Sequence, residues 1–254
     1  MAYGHCRGHT PAVVVDTRAR AGCNGAVVAV SVWWARVEDG GDPAAALLRA
    51  AVADHAGCAS DDVVNGRLCP HCGSTAHGRP VVLTPRTSTW RVSLSRAPGL
   101  VAVAVAEGGD TAMELGVDVE EVARTAFAGF PCVTLHPLER DGAPAERGLI
   151  WTRKEAVLKA AGVGLRTDPR SIQVSHPSQP PALEIGPNVA LGQRFWLEDI
   201  PVPTRYAATV AVVASSATAP EVIVREVAPG AWAGAASDGE GRRDRRRSAR
   251  RQQQ

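Results

Sequence analysis

WTRKEAVLKAAGVGL, residues 151–165, contains both lysines of the chain, Lys154 and Lys159; the other basic residues, among 28 Lys and Arg, are arginine. Phosphate contact and proton transfer favour a compact ammonium on a flexible stem over a planar fork. Two solvated helix charges would look the same in sequence. Helical spacing puts Trp151, Glu155 and Lys159 on one face at i, i+4 and i+8, with Trp151, Leu158 and Ala161 toward the core. Thr152 and Glu155 fit a capping box, which would start the helix near residue 151. Gly162 and Gly164 would end it.

Upstream lies MELGVDVEEV (113–122), a strand. Its alternation points Val117 and Val119 to one face, Asp118 and Glu120 to the other. Two adjacent carboxylates repel unless a cation neutralises them, and an all-oxygen donor set suits Mg²⁺. A strand with one wet face gives the same pattern without a metal.

The rest of the chain alternates apolar strands with short helices. AVVAVSVWWARV (26–37) reads as a buried strand and GDPAAALLRAAVADHAG (41–57) as a helix, with Asp42 as cap, Pro43 in the first turn and Gly57 as stop. Residues 88–109 read as two strands around Ala97-Pro98-Gly99. A Cys/His/Gly/Pro loop fills 66–80. SIQVSH (171–176), PALEIG (181–186), RFWLEDI (194–200) and YAATVAVVAS (206–215) read as strands of one antiparallel sheet. The expected fold is α+β in two similar lobes, each a helix on a small antiparallel sheet: 1–110, 111–215, then a mostly disordered Arg-rich tail from 216.

Composition narrows the function classes. At 254 residues there is ample chain for a core. The net charge of +2 calls for no nucleic-acid or membrane partner. It conceals the segment GRRDRRRSARRQQQ (241–254), which has no aromatic residue to stack bases and reads as a solvated tail. No apolar run is long enough to span a bilayer, the first residues lack a signal-peptide pattern, and the six cysteines then read as reduced thiols of a cytoplasmic protein. Cys69-Pro-His-Cys72, with His77 beyond and Cys58 before, could supply four zinc ligands. With only one short-spaced pair, a reduced turn is the preferred reading.

Gly-Val-Asp-Val-Glu (116–120) followed by Trp-Thr-x-Lys-Glu-Ala-x-x-Lys-x-x-Gly-x-Gly-Leu (151–165) resembles the two signatures of the 4′-phosphopantetheinyl transferase superfamily, in particular its two-lobed Sfp-type members. His77-Gly-Arg-Pro80, Val92-Ser-Leu-Ser95 and Leu135-His-Pro-Leu-Glu139 resemble further family elements, so the likeness covers about residues 26–214. It implies transfer of the phosphopantetheine arm of coenzyme A to a serine of an acyl- or peptidyl-carrier protein of a fatty acid, polyketide or nonribosomal peptide synthase, releasing adenosine 3′,5′-bisphosphate. It further implies Mg²⁺ on Asp118, Glu120 and Glu155, and coenzyme A contacts from Arg79, Pro80, Ser95, Arg96, Lys154 and Lys159. Glu139 or Glu155 would be the base, with Lys159 on the phosphate, in a monomer.

The sequence departs from the family twice. Arg96 stands where the family has a histidine that contacts the 3′-phosphate, and the acidic EDGGD (38–42) stands where it has a basic helical stretch. Arg79 and Arg96 would then carry more of the phosphate binding. Two alternatives remain at this point: a noncatalytic relative that binds carrier protein or coenzyme A, and a zinc- or nucleic-acid-binding module built on the Cys/His loop and the Arg tail.

Overall fold

The computed structural model describes residues 28–37, 42–86, 89–108 and 113–228. Two sheets face one another and each holds a helix on its outer side, giving four layers around three apolar cores. The first sheet comprises β1 (Ala29–Arg36), β4 (Thr89–Ala97), β5 (Leu100–Gly108) and β11 (Glu221–Val227), in the order β11-β1-β5-β4. β4 and β5 are a hairpin that turns at Pro98 and Gly99, where φ is +78°. Central β5 shows why its sequence is apolar throughout. Leu100, Ala102, Ala104 and Ala106 face the second sheet, while Val101, Val103 and Val105 face a helix.

That helix is α1 (Ala44–Ala56), which buries Leu47, Leu48, Ala51 and Val52. Each large aliphatic side chain buried there contributes about 1.5–3 kcal/mol. The sequence set its limits: Asp42 Oδ1 accepts from the Ala44 N–H at 3.1 Å, and Gly57 ends the helix at φ +66°.

The second sheet is antiparallel, β6-β10-β9, from β6 (Glu114–Glu121), β9 (Arg194–Asp199) and β10 (Tyr206–Ala214). After the short α2 (Phe130–Thr134), helix α3 (Pro144–Ala160) covers its outer face. Gly116 marks the closest approach: a Cβ there would lie 2.1 Å from the Ala156 carbonyl oxygen, so strand and helix backbones touch. Among the described residues no helix is long and apolar enough to cross a membrane.

Several expectations need correction. α3 starts at Pro144, not near residue 151; Glu146 Oε2 accepts from the Ala143 N–H at 2.8 Å, and Pro144 suits the first turn. Thr152 is therefore buried mid-helix, with its hydroxyl 3.0 Å from that of Thr209, and caps nothing. The first sheet is mixed, because β11 runs parallel to β1. Part of the expected tail thus forms a strand; residues 229–254, with the rest of that expectation, lie outside the described residues. The Cys/His loop lies between β2 (Val64–Leu68) and β3 (Arg79–Thr84), an unexpected two-stranded ribbon. The four late strand candidates divide, since β7 (Gln173–Val174) and β8 (Leu183–Ile185) pair with each other, apart from β9 and β10.

Candidate functional site

The alternation of β6 is as the sequence indicates, but its second face is not wet. Leu115, Val117 and Val119 join the core between the sheets. Gly116, Asp118 and Glu120 take the other face, under α3, where Gly116 meets the helix backbone. Asp118 is buried and Glu120 half-buried. Glu155 enters the same cluster from α3.

The cluster is electrostatically strained. Glu155 is 9% exposed and its Oε1 has no hydrogen-bond partner. Burial first, then the Asp118 carboxylate, push its pKa up to about 7, against an opposing pull from Lys159. Burial, with a smaller push from Asp118, also raises Glu120. The three carboxylates do not close to within 4.8 Å of one another; their like charges repel, and the ion pairs of Lys159 and Arg124 reach only Asp118 and Glu120, one each. An all-oxygen set with an unsatisfied buried oxygen fits a hard divalent cation such as Mg²⁺.

Lys159 lies one turn beyond Glu155. Its Nζ is 2.6 Å from Asp118 Oδ1 and donates to the Val117 carbonyl oxygen at 3.0 Å. Ser95 Oγ donates to the same Asp118 oxygen at 2.7 Å, and the Val117 N–H donates to Ser93 Oγ at 3.0 Å. Two β4 serines thus bind β6 across the junction of the sheets. Sequence reasoning offered Ser95 as a coenzyme A contact and missed Ser93; their spacing on one strand face was the available signal.

Beside Lys159 opens a cleft of about 370 Å³ between the β2–β3 ribbon, β4 and the end of α3. Arg67, Arg79, Arg96, Lys159 and Arg166 line it, no carboxylate does, and Pro80, Leu94, Leu115 and Leu158 give it apolar walls. Arg79 lies over Gly162, where a Cβ would meet its guanidinium, so the helix-ending glycine also makes room for a cleft cation. Arg79 Nη1 is 3.0 Å from Glu114 Oε2. Arg67 and Arg166 were not foreseen.

Arg96, Lys154 and Glu139, all expected at the site, are engaged with other groups of the protein. Arg96 grips Asp42 through Nε and Nη2, at 3.0 and 2.8 Å, and this pairing holds the Asp42 carboxyl below its ordinary pKa. Lys154 is fully buried and spends its three protons on Glu139 Oε2 at 2.6 Å and the carbonyl oxygens of Thr134 and Pro169. Glu139 also accepts from the N–H groups of His136 and Val174. Lys154 thus has no proton left over for a phosphate, and both Glu139 oxygens already accept hydrogen bonds.

Folded Glu155 binds its proton more tightly than unfolded Glu155. Metal-free protein should thus lose stability as pH rises from about 4.5 to about 7. In EDTA, Glu155→Gln should exceed the parent by on the order of 2–3 kcal/mol at pH 8 and equal it at pH 4.5, by urea unfolding. Equal stabilities at pH 8 would refute the strained carboxylate.

No curated protein matches the chain. Residues 114–211, from the start of β6 through most of β10 and including Asp118, Glu120, Glu155 and Lys159, match the family model of the 4′-phosphopantetheinyl transferase superfamily, and this part of the chain carries a domain of that superfamily.

Proposed function

We propose that the protein is an Sfp-type transferase that moves the 4′-phosphopantetheine arm of coenzyme A to a serine of an acyl- or peptidyl-carrier protein. The serine oxygen forms a bond to the pantetheine-bearing phosphorus. The bond from that phosphorus to the adenosine-side phosphate breaks, and adenosine 3′,5′-bisphosphate leaves. The observation that carries the reading is the buried, unpartnered Glu155 oxygen beside Asp118 and Glu120, next to a cleft lined by five cations.

Asp118, Glu120 and Glu155 would hold Mg²⁺, which supplies charge neutralisation for the pyrophosphate when bound. The cleft arginines suit the phosphates of a polyanion, and its apolar walls suit the rest of a nucleotide-like ligand. Two of the three Lys159 donors hold Val117 and Asp118, leaving one for a phosphate oxygen. Of the two candidate bases Glu139 has both oxygens hydrogen-bonded, which leaves Glu155; with one oxygen on Mg²⁺ it would take the serine proton through a water on the other.

Lys159→Arg should lower kcat/KM for coenzyme A at least about tenfold, because a planar fork cannot replace three divergent donors between Val117, Asp118 and the cleft. Unchanged turnover would separate the retained lysine from the chemistry.

A second reading, a noncatalytic relative that binds carrier protein or coenzyme A, is favoured by one observation: Asp42 occupies the Arg96 fork that a phosphate would need. Intact-mass spectrometry of an apo carrier protein incubated with this protein, coenzyme A and Mg²⁺ decides between them. A gain of about 340 Da, absent with EDTA, marks an added phosphopantetheine arm. No gain with any of a panel of acyl- and peptidyl-carrier proteins would assign the chain to the second reading.

A further inference from the structure

The turn of the β2–β3 ribbon gathers a second set of metal-type donors, away from the carboxylates. Cys69, Cys72 and His77 place one ligand atom each within 4.8 Å of one another, and among the described residues no other such group of Cys, His, Asp or Glu reaches that closeness. Cys72 Sγ lies 3.4 Å from His77 Nε2. The thiols are free, and Cys58 is not in the group; it packs beside the α1 core instead.

The backbone is shaped around this trio. The Cys69 N–H donates to the Ser74 carbonyl oxygen and the Gly73 N–H to the Cys69 carbonyl oxygen, both at 2.9 Å. Gly73 sits at φ +71°, where a side chain would be strained. Gly78, at φ +109°, lies so close to the Cys69 backbone that a Cβ would be 2.4 Å from its nitrogen, and this contact brings neighbouring His77 over the cysteines. Cys-Pro-His-Cys-Gly (69–73) and His-Gly (77–78) are thus one turn in which both glycines are required.

This turn lacks an ordinary source of stability. No residue from Val64 to Pro80 is buried; the ribbon touches the α1 core through Val82 near its base, while its tip has no apolar core of its own. Three soft or borderline donors at the tip of such a ribbon suit a metal that serves as its core.

We infer that Cys69, Cys72 and His77 bind one zinc ion, which clips the β2–β3 ribbon. Two thiols release their protons as zinc enters, so two thiolates balance the charge of Zn²⁺ and neutral His77 supplies the third bond. Water completes the tetrahedron, since among the described residues no fourth side chain joins the trio. The site has a structural consequence for its neighbour. Cys69, Pro70, His71 and Gly78 line the cleft together with Arg67 and Arg79 of the ribbon strands, so the clip fixes one cleft wall. It stands independently of the transferase reading.

The test is metal content of the full chain, purified without chelator and kept reduced. About one zinc per chain is expected, and replacement by Co²⁺ should give thiolate-to-cobalt charge-transfer absorption. Cys72→Ser and His77→Ala, both at exposed positions, should each weaken zinc at least about tenfold in competition with a chromophoric chelator. Cys58→Ser and Asp118→Asn should leave zinc affinity unchanged, which separates this site from the carboxylates. Protein that neither carries zinc nor binds added Zn²⁺ or Co²⁺ would overturn the inference. So would zinc retained in full by Cys72→Ser and His77→Ala, or a Cys69–Cys72 disulfide in the reduced preparation.

Discussion

Asp118→Ala should lower phosphopantetheine transfer by about 10³-fold or more while the protein still folds, because it removes a carboxylate from the metal set and the anchor of Lys159 together. The backbone has no reason to yield. Asp118 lies opposite Thr209 in the β6–β10 ladder, and that pairing uses main-chain groups. Lys159 keeps the Val117 carbonyl, and its side chain is 27% exposed, so water can solvate the ammonium. Ser95 can turn its hydroxyl elsewhere. The expected stability loss is therefore about 1–2 kcal/mol, below that for breaking a fully buried pair. Single-turnover assay of the variant against an apo carrier protein, with far-ultraviolet circular dichroism as the folding check, reads both quantities. Substantial transfer by folded Asp118→Ala would sink the metal assignment.

The second large effect concerns stability. Lys154 and Glu139 side chains are 0% and 5% exposed and 2.6 Å apart, so removing one strands the other as a buried charge. Lys154→Met and Glu139→Gln should each cost about 3–5 kcal/mol. The Lys154→Met/Glu139→Gln double variant should lose clearly less than the two singles added together, since it strands no charge. Burial already pulls the Lys154 pKa down against the support of Glu139, so the lone ammonium would be especially costly. Urea unfolding of the four proteins measures the coupling. Strict additivity would mean that the pair is not a unit. Transfer recovered in the double variant would confirm that neither side chain is needed for chemistry.

The parts of the fold that were legible are those in which a local pattern has one solution. Alternation in β6 placed Asp118 and Glu120 on one face, and i, i+4 spacing placed Glu155 and Lys159 on one stripe. The structure brings these two surfaces together because Gly116 lets α3 settle on β6. The hairpin at Pro98-Gly99 and the stop at Gly57 were equally local.

What was missed depends on partners distant in the chain. Lys154 and Glu139 show only two ionisable side chains in sequence; their use as a buried strut follows from how α3 packs on the segment after α2. Thr152 has the same letters as a cap, but its surroundings are set by Pro144 two turns earlier and by Thr209 opposite. Arg153 was passed over as one arginine among many, yet it is buried and held by Asp199 of β9 at 2.6 Å. The β2–β3 ribbon has no buried face to print a period-two pattern. β11 pairs in parallel with β1 across almost the whole described chain, and nothing near Glu221–Val227 announces that partner.

That last pairing has a consequence for how the chain is made. On a ribosome, α1, β4 and β5 emerge early and can pack at once around β1. The outer edge of β1 must wait until nearly all of the remaining described residues have been synthesised, because β11 follows every element of the second sheet. During that interval an apolar strand, Val30 to Trp34, presents unpaired backbone groups to any extended chain it meets. The first sheet to begin folding is thus completed only after the last strand of the second has emerged.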